Sequence, residues 1–138
     1  MMKPVVYLAH PVGAESIIGV NANIARARRW LRWLVENTDW AIVASWMPYV
    51  ETLDEGDWRA RGLADDCAVL ERCDAIFLCG GRRSAGMEIE CREAIAAGLY
   101  VIDVAVGDDE PWAGLETAPI IEQAKLNLNE RLSAASAS

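Results

Sequence analysis

Four short and almost wholly apolar runs constrain this chain more than any other feature of its sequence. They lie at residues 5–9, 40–46, 75–79 and 100–106. Segments with apolar residues at helical spacing alternate with them, at residues 21–37, 58–73, 87–97 and 119–132. A strand that is apolar along its whole length is buried on both faces, so the alternation predicts a parallel sheet with helices on each side.

The length of the chain indicates how many domains it forms. A chain of 138 residues is long enough to bury one core and short for two. We expect a single domain over residues 1–132, followed by a flexible tail of serine and alanine at residues 133–138. The expected architecture is a three-layer α/β/α sandwich of the Rossmann-like kind, with a parallel sheet of four or five strands.

Charge and cysteine content narrow the class of function. The net charge of −8 repels phosphate backbones and disfavours nucleic acid as a partner. No apolar run reaches the roughly 18 residues of a membrane span, and the first run is too short for a signal peptide. None of the four cysteines forms a C-x-x-C pair, and the single histidine is far from them in sequence. We therefore expect buried free thiols in a cytoplasmic protein, without a metal site.

The candidate binding site lies where the predicted strands end, because ligands of open parallel sheets bind beyond the carboxyl ends of the strands. This rule selects residues 10–13, 46–49 and 80–90. The first of these segments begins with His10. The second begins with Trp46, whose ring can stack on a base. The third includes Gly81 and Arg82, and an arginine at this position can bind a phosphate group.

The segment from residue 80 to residue 90 is the most informative one. Its glycines let the backbone approach a ligand. The free N–H groups of the first helical turn, together with the Ser84 hydroxyl, suit an anionic or polyhydroxylated group. Neither G-x-G-x-x-G nor a Walker A motif is present. Because Glu88 and Glu90 lie two positions apart on a helix, at most one of them points towards the strand ends.

Several short stretches together resemble the nucleoside 2-deoxyribosyltransferase superfamily, which includes transferases and nucleotide N-hydrolases. The resemblance spans about residues 5–104. The residues that carry it are, in order, Tyr7-Leu8-Ala9-His10-Pro11, Asp66, Asp74-Ala75-Ile76-Phe77-Leu78, Ser84, Gly86, Glu90, Ala94, Gly98 and Val101.

This resemblance implies a flavodoxin-like sheet and cleavage of an N-glycosidic bond without metal or organic cofactor. Glu90 matches the family's nucleophilic glutamate, and Asp66 matches the aspartate that positions or protonates the leaving base. Tyr7 matches a tyrosine near the sugar. Ser84 and the amides around Gly86 match the loop that holds the 5′ end. The family is often oligomeric, and the six tryptophans agree with an apolar surface shared between subunits.

Two departures from the family pattern leave alternatives open. His10 stands where the family usually has glycine, and it either faces the ligand or makes only a local hydrogen bond. Glu88 occupies a second glycine position of the nucleotide hydrolases. Since Gly-Met-Glu ends at the nucleophile in some transferases, Met87 followed by Glu88 is a rival match. The spacing to the residues further along the chain favours Glu90.

Two classes of function follow from the sequence. The first is an enzyme that cleaves or transfers the N-glycosidic bond of a nucleoside or nucleoside 5′-monophosphate through a glutamate nucleophile. The alternative is a module of the same fold that binds a nucleotide-derived ligand without cleaving it. In both cases we expect the chain to bind a small molecule and further copies of itself. We do not expect it to bind nucleic acid or a membrane.

Overall fold

A four-stranded parallel sheet forms the centre of the molecule. The computed structural model describes residues 2–53, 55–111 and 117–137. The strands in chain order are β1 (Val5–Ala9), β2 (Ala41–Val43), β3 (Ala75–Leu78) and β4 (Tyr100–Asp103). Their spatial order is β2-β1-β3-β4, and every neighbouring pair is parallel. This order is that of the flavodoxin-like doubly wound sheet through its fourth strand.

Helices cover both faces of the sheet, as the alternating pattern predicts. The helices are α1 (Ile17–Asn37), α2 (Trp46–Thr52), α3 (Glu55–Leu70), α4 (Ala85–Ala96) and α5 (Thr117–Ala137). Side chains of α1 and α5 pack in a core on one face of the sheet, and those of α2, α3 and α4 pack mainly on the other. The three-layer α/β architecture is confirmed.

Alternation along β1 sends neighbouring side chains into different layers. Leu8 packs beside Trp30 of α1 and Phe77 of β3. Tyr7 packs in the opposite layer, with residues of α2 and α4. The phenol of Tyr7 thus enters the layer that also contains the N-terminus of α4.

The largest error of the sequence prediction concerns the segment after β2. We expected a strand over residues 40–46 and a loop over residues 47–57, but the strand ends at Val43 and α2 begins at Trp46. The Trp46 indole donates from Nε1 to the Leu8 carbonyl at 2.8 Å, and Met47 is also buried. The apolar run therefore ends at the buried start of α2 and not in the sheet.

Other boundaries also differ from expectation, and β4 ends at Asp103 and not at residue 106; the largest differences are at α1 and α5. Helix α1 begins at Ile17 and not at Asn21, because Ser16 caps it by accepting a hydrogen bond from the Gly19 amide at 3.1 Å. Helix α5 extends to Ala137. The expected tail at residues 133–138 is thus helical as far as it is described, and Ser138 lies outside the described residues.

The tryptophans contribute mostly to the core of this chain. Trp30, Trp40 and Trp46 are buried, and Trp33 packs partly against the same core. The side chains of Trp58 and Trp112 lie outside the described residues. The buried indoles leave little support for a tryptophan-rich surface between subunits, and the oligomeric state stays a prediction. Within the described ranges, no helix combines the length and apolarity needed to cross a membrane.

Candidate active site

The loop between β3 and α4 is fixed by two glycines in the left-handed region of backbone space. Gly80 has φ +105° and Gly81 has φ +88°. A Cβ atom on Gly80 would lie 2.6 Å from His10 Nε2, and one on Gly81 would lie 2.7 Å from Asp109 Cβ. Side chains are therefore excluded here by conformation and by space. The loop packs between the segments that follow β1 and β4, and it leads directly into α4.

The first turn of α4 faces open space. Ser84 caps the helix, and its hydroxyl accepts a hydrogen bond from the Met87 amide at 3.3 Å. The amides of Ala85 and Gly86 belong to the first turn, whose N–H groups have no acceptor inside the helix. A Cβ atom on Gly86 would meet nothing within 4 Å. This end of the helix suits an anionic or hydroxylated group.

A pocket of about 430 Å³ opens at this edge of the sheet. Eight residues chosen from the sequence line it, namely His10, Trp46, Asp66, Arg82, Ser84, Gly86, Met87 and Glu90. The pocket joins the three segments that the strand-end rule selects. Its volume falls in the range of small-molecule sites.

Glu90 lies at the buried end of the pocket. Its side chain projects from the second turn of α4, and the residue is 7% exposed. The hydroxyl of the fully buried Tyr7 donates a hydrogen bond to Glu90 Oε2. The pKa of Glu90 is raised to about 7, mainly by burial; the hydrogen bond from Tyr7 opposes the rise, and the charge of Asp66 adds to it. Burial beside Glu90 also holds the pKa of Tyr7 well above its usual range.

Asp66 is the second buried carboxyl group of the site. It projects from α3 and is 7% exposed. The Ser45 hydroxyl donates to Asp66 Oδ1 at 2.8 Å. Burial raises the pKa of Asp66 to about 6; the bond from Ser45 opposes this rise, and the charge of Asp65 adds to it. Burial thus raises the pKa of both carboxyl groups, and the charge of Asp66 also raises that of Glu90.

Glu88 lies outside the pocket. Its side chain is 51% exposed and pairs with Arg83, whose Nε is 2.8 Å from Glu88 Oε1. Arg83 also contacts Asp103 at 3.1 Å. The two-residue step along α4 thus separates Glu88 from Glu90, as the helical spacing predicts. Gly81 does not line the pocket either, and its contribution is to shape the loop.

Both ring nitrogens of His10 lie against the backbone of neighbouring loops. Its Nδ1 lies 2.7 Å from the Pro11 carbonyl oxygen, which accepts a hydrogen bond when Nδ1 is protonated. Its Nε2 is buried against Gly80 and finds no hydrogen-bond partner among the described residues. Burial lowers the pKa of His10 to about 4, so the ring is neutral at pH 7. His10 lines the pocket as an uncharged surface.

Part of the pocket wall was missed by the sequence analysis. The α2–α3 side contributes Val50, Leu53, Arg59, Gly62 and Leu63. Trp46, Val50 and Leu53 recur at positions i, i+4 and i+7, which is a helical signal hidden by treating this segment as a loop. Arg82 crosses the other side, where it donates to the Gly13 carbonyl at 3.2 Å. The pocket thus combines an apolar wall with an arginine and a helix N-terminus.

The structure shows no arrangement typical of a metal centre in the part of the chain that it describes. No group of three or more histidine, cysteine, aspartate or glutamate side chains is placed to hold a metal ion there. The four cysteines are free thiols.

Fold and pocket together define a class of parallel α/β proteins with two buried carboxyl groups at the strand ends. The chain belongs to the family described as Domain of unknown function (DUF7768), whose model matches residues 4–104. The matched range includes all four strands and helices α1 to α4, and helix α5 lies beyond it. A search of curated proteins found no match to this chain.

Proposed function

We propose that the protein cleaves or transfers the N-glycosidic bond of a nucleoside or nucleoside 5′-monophosphate. The observation that carries the proposal is the buried Tyr7–Glu90 hydrogen bond next to Asp66, at the end of a pocket of small-molecule size. Glycosidic cleavage uses a pair of carboxyl groups, one ionised and one that donates a proton. The resemblance of the sequence to the nucleoside 2-deoxyribosyltransferase superfamily supports the same chemistry.

The proposed reaction uses the two carboxyl groups in different roles. Ionised Glu90 attacks or stabilises the anomeric carbon as the bond to the base breaks, because the departing base leaves an oxocarbenium-like sugar. Protonated Asp66 donates its proton to the leaving base. The hydrogen bond from Tyr7 orients Glu90. Water then releases the free sugar, whereas a second base gives a new nucleoside.

The remaining walls match the other parts of such a substrate. The amides of Ala85 and Gly86, with Arg82 nearby, suit a 5′-hydroxyl or 5′-phosphate group. The apolar wall formed by Trp46 and Leu63 suits a planar base. The Trp46 N–H already donates to the Leu8 carbonyl, so the ring offers the base an apolar contact and not a hydrogen bond.

A chromatographic screen for free base tests this function. The protein is incubated with ribo- and deoxyribonucleosides and their monophosphates, with and without a second base. We expect base release by the wild type and its loss by at least about a thousandfold in Glu90→Gln. Glu88→Gln is the matched control, since it makes the same chemical change at an exposed position two residues away. Loss of activity in Glu88→Gln with full activity in Glu90→Gln would reverse the assignment.

A binding module without turnover is the second candidate, and the pKa of Glu90 favours it. With a pKa of about 7, this carboxyl group is partly neutral at physiological pH and can hydrogen-bond a sugar hydroxyl without attacking it. Calorimetric binding of a nucleoside or nucleotide, with no base released over a long incubation, would support this alternative against the enzyme.

The proposal also includes a cellular compartment and an oligomeric state. We place the activity in a reducing cytoplasm, because all four thiols are free. We also propose a homo-oligomer that takes a small molecule as substrate and no metal or organic cofactor, in line with the family that the sequence resembles. Sedimentation of the purified protein at several concentrations measures the oligomeric state.

A further inference from the structure

One stripe of side chains along helix α3 lines the pocket. Its members are Arg59, Gly62, Leu63 and Asp66, which recur at positions i, i+3, i+4 and i+7 and therefore share one face of the helix. The stripe begins at the exposed Arg59 and ends at the buried Asp66. Seven residues of helix rise by about 10 Å. A flat ring can therefore lie along this face, between the buried acid and the exposed cation.

The middle of this stripe is apolar and has little side-chain bulk. Gly62 has no side chain, and a Cβ atom there would lie 3.4 Å from Tyr49 Cδ2 of α2. Leu63 lines the pocket beside it, and α2 contributes Trp46 and Val50 to the same wall. A wall of this kind offers apolar contact to a planar ring, and such contact is made with any base. Discrimination between bases therefore has to come from polar groups.

Two hydrogen-bond donors on this wall are already used within the protein. The Trp46 N–H donates to the Leu8 carbonyl at 2.8 Å. The Tyr49 hydroxyl donates to Asp65 Oδ2 at 2.7 Å. Asp66, at the buried end, is the proposed proton donor to the leaving base. These groups do not supply a donor to the opposite edge of a base.

Arg59 supplies donors at that opposite edge. It has no carboxylate within ion-pair distance among the described residues, whereas Arg61 on the same helix has its Nε 3.0 Å from Asp65 Oδ1. A guanidinium group carries five N–H donors and no acceptor. It therefore favours a ring edge that presents acceptor atoms and disfavours one that presents an amino group.

We propose that Arg59 selects nucleosides whose base has a carbonyl group on its outer edge, that is, 6-oxopurines and 4-oxopyrimidines. The inference rests on the proposed function and names its substrate class. When the bond to the sugar lies at Asp66, a base along the stripe directs its opposite edge towards Arg59. Guanine and hypoxanthine present O6 and N7 as acceptors, and uracil presents O4, whereas adenine and cytosine carry an amino donor in the same place. An amino group there leaves the guanidinium without its partner.

The other arginine of the pocket lies on a different wall. Arg82 donates to the Gly13 carbonyl at 3.2 Å and lines the pocket together with Ser84, at the N-terminus of α4. The proposed function assigns the 5′ end of the substrate to that wall. The two arginines should therefore respond to different parts of the ligand, Arg82 to the 5′ group and Arg59 to the base.

The test compares inosine with adenosine, which differ at this edge of the base and have the same sugar. Calorimetry measures their dissociation constants for the full chain carrying Glu90→Gln, so that no base is released during the titration. We expect inosine to bind about tenfold more tightly than adenosine, and the addition of Arg59→Met to bring the two within about twofold. Uridine and cytidine give a second pair with the same contrast.

Arg61→Met is the matched control for Arg59→Met. Arg61 is an exposed arginine of the same helix that does not line the pocket, so its substitution should keep the preference for inosine. The base-release assay gives kcat/KM for the same nucleosides in the wild type, where we expect a preference in the same direction.

The outcomes separate this inference from the proposed function. Equal binding of inosine and adenosine, or a preference that Arg59→Met leaves unchanged, would overturn the selection even if the wild type releases base. Weaker binding of both 5′-monophosphates and of neither nucleoside in Arg59→Met would assign Arg59 to the phosphate and overturn it too. A preference that depends on Arg59, without base release by the wild type, would contradict the reaction and support the selection. Absence of binding by all nucleosides and monophosphates would overturn both.

Discussion

The two faces of the sheet differ in chemistry although the same strands form both. On the face covered by α1 and α5, Leu8 and Phe77 pack with Trp30 in a core made of apolar side chains. On the other face, Tyr7 donates a hydrogen bond to the buried carboxyl group of Glu90, and the Asp66 carboxyl group is buried as well. Burying these carboxyl groups costs free energy, as their raised pKa values show. Both layers bury apolar side chains, and the second layer also contains buried carboxyl groups that reduce its contribution to stability.

The substitution with the largest expected effect on the free energy of unfolding lies on the face covered by α1 and α5. Phe77 is fully buried, and its ring centroid lies 5.7 Å from that of Trp30. Phe77→Ala leaves a cavity under α1, so we expect the free energy of unfolding to fall by about 3–5 kcal/mol. Urea unfolding followed by tryptophan fluorescence measures this loss.

The same position also tests whether the two faces are separate in function. Phe77→Leu is a milder change that keeps the protein folded for assays. It should leave KM and the pH dependence of base release at wild-type values, because Phe77 does not line the pocket. A shifted pH profile in Phe77→Leu would show that the apolar layer tunes the carboxyl pair, and the comparison would then fail.

The fold was largely predictable because its signals are local. The strands in residues 5–9 and 75–79 are apolar on both faces, and the Gly80-Gly81 pair marks the turn into α4. The segment from Trp46 to Leu53 was not predictable in the same way. Pro48 and the acidic residues that follow it indicated a loop. The decisive contact, between Trp46 and the Leu8 carbonyl, is remote in sequence.

The second prediction concerns Glu90, on the face covered by α2, α3 and α4, and how the stability of the protein depends on pH. The pKa of Glu90 is raised from 4.5 to about 7 in the folded protein. Between these values the folded state binds more protons than the unfolded state, so the stability falls as the pH rises through this window. Glu90→Gln removes the ionisation. We therefore expect the variant to exceed the wild type by about 1–3 kcal/mol at pH 8 and to match it near pH 4.5.

Glu88→Gln is the matched control for this measurement. Because Glu88 is exposed and pairs with Arg83 at the surface, its substitution should change the free energy of unfolding by less than about 0.5 kcal/mol at every pH. Parallel stability curves for the wild type and Glu90→Gln between pH 4.5 and 8 would show that burial of this carboxyl group costs nothing. The contrast between the two faces would then be lost.

The candidate site was predictable only in part, because contacts between residues far apart in the sequence leave no local pattern. Helical spacing separated Glu88 from Glu90, and the strand-end rule selected the segments that form the pocket. Ser45 gave no signal, because the sequence pattern placed it inside a strand over residues 40–46. Its contact with Asp66 joins residues 21 positions apart. Such a contact depends on how α2 and α3 pack, which the local sequence does not encode.

A smaller effect on stability than that of Glu90→Gln is expected when a single hydroxyl on β1 is removed. Tyr7→Phe deletes the donor to Glu90 and should cost about 1 kcal/mol of stability. That hydrogen bond holds the pKa of Glu90 down, so its loss moves the pKa above about 7. The ionised nucleophile is then scarcer at pH 7, and we expect base release to fall about tenfold there and to recover as the pH is raised.

Leu8→Met, on the next residue of the same strand but facing the other layer, should leave the pH profile unchanged. Equal profiles for Tyr7→Phe and the wild type would show that the strand supports the pocket only by packing, and the chemical difference between the two faces would not matter for function.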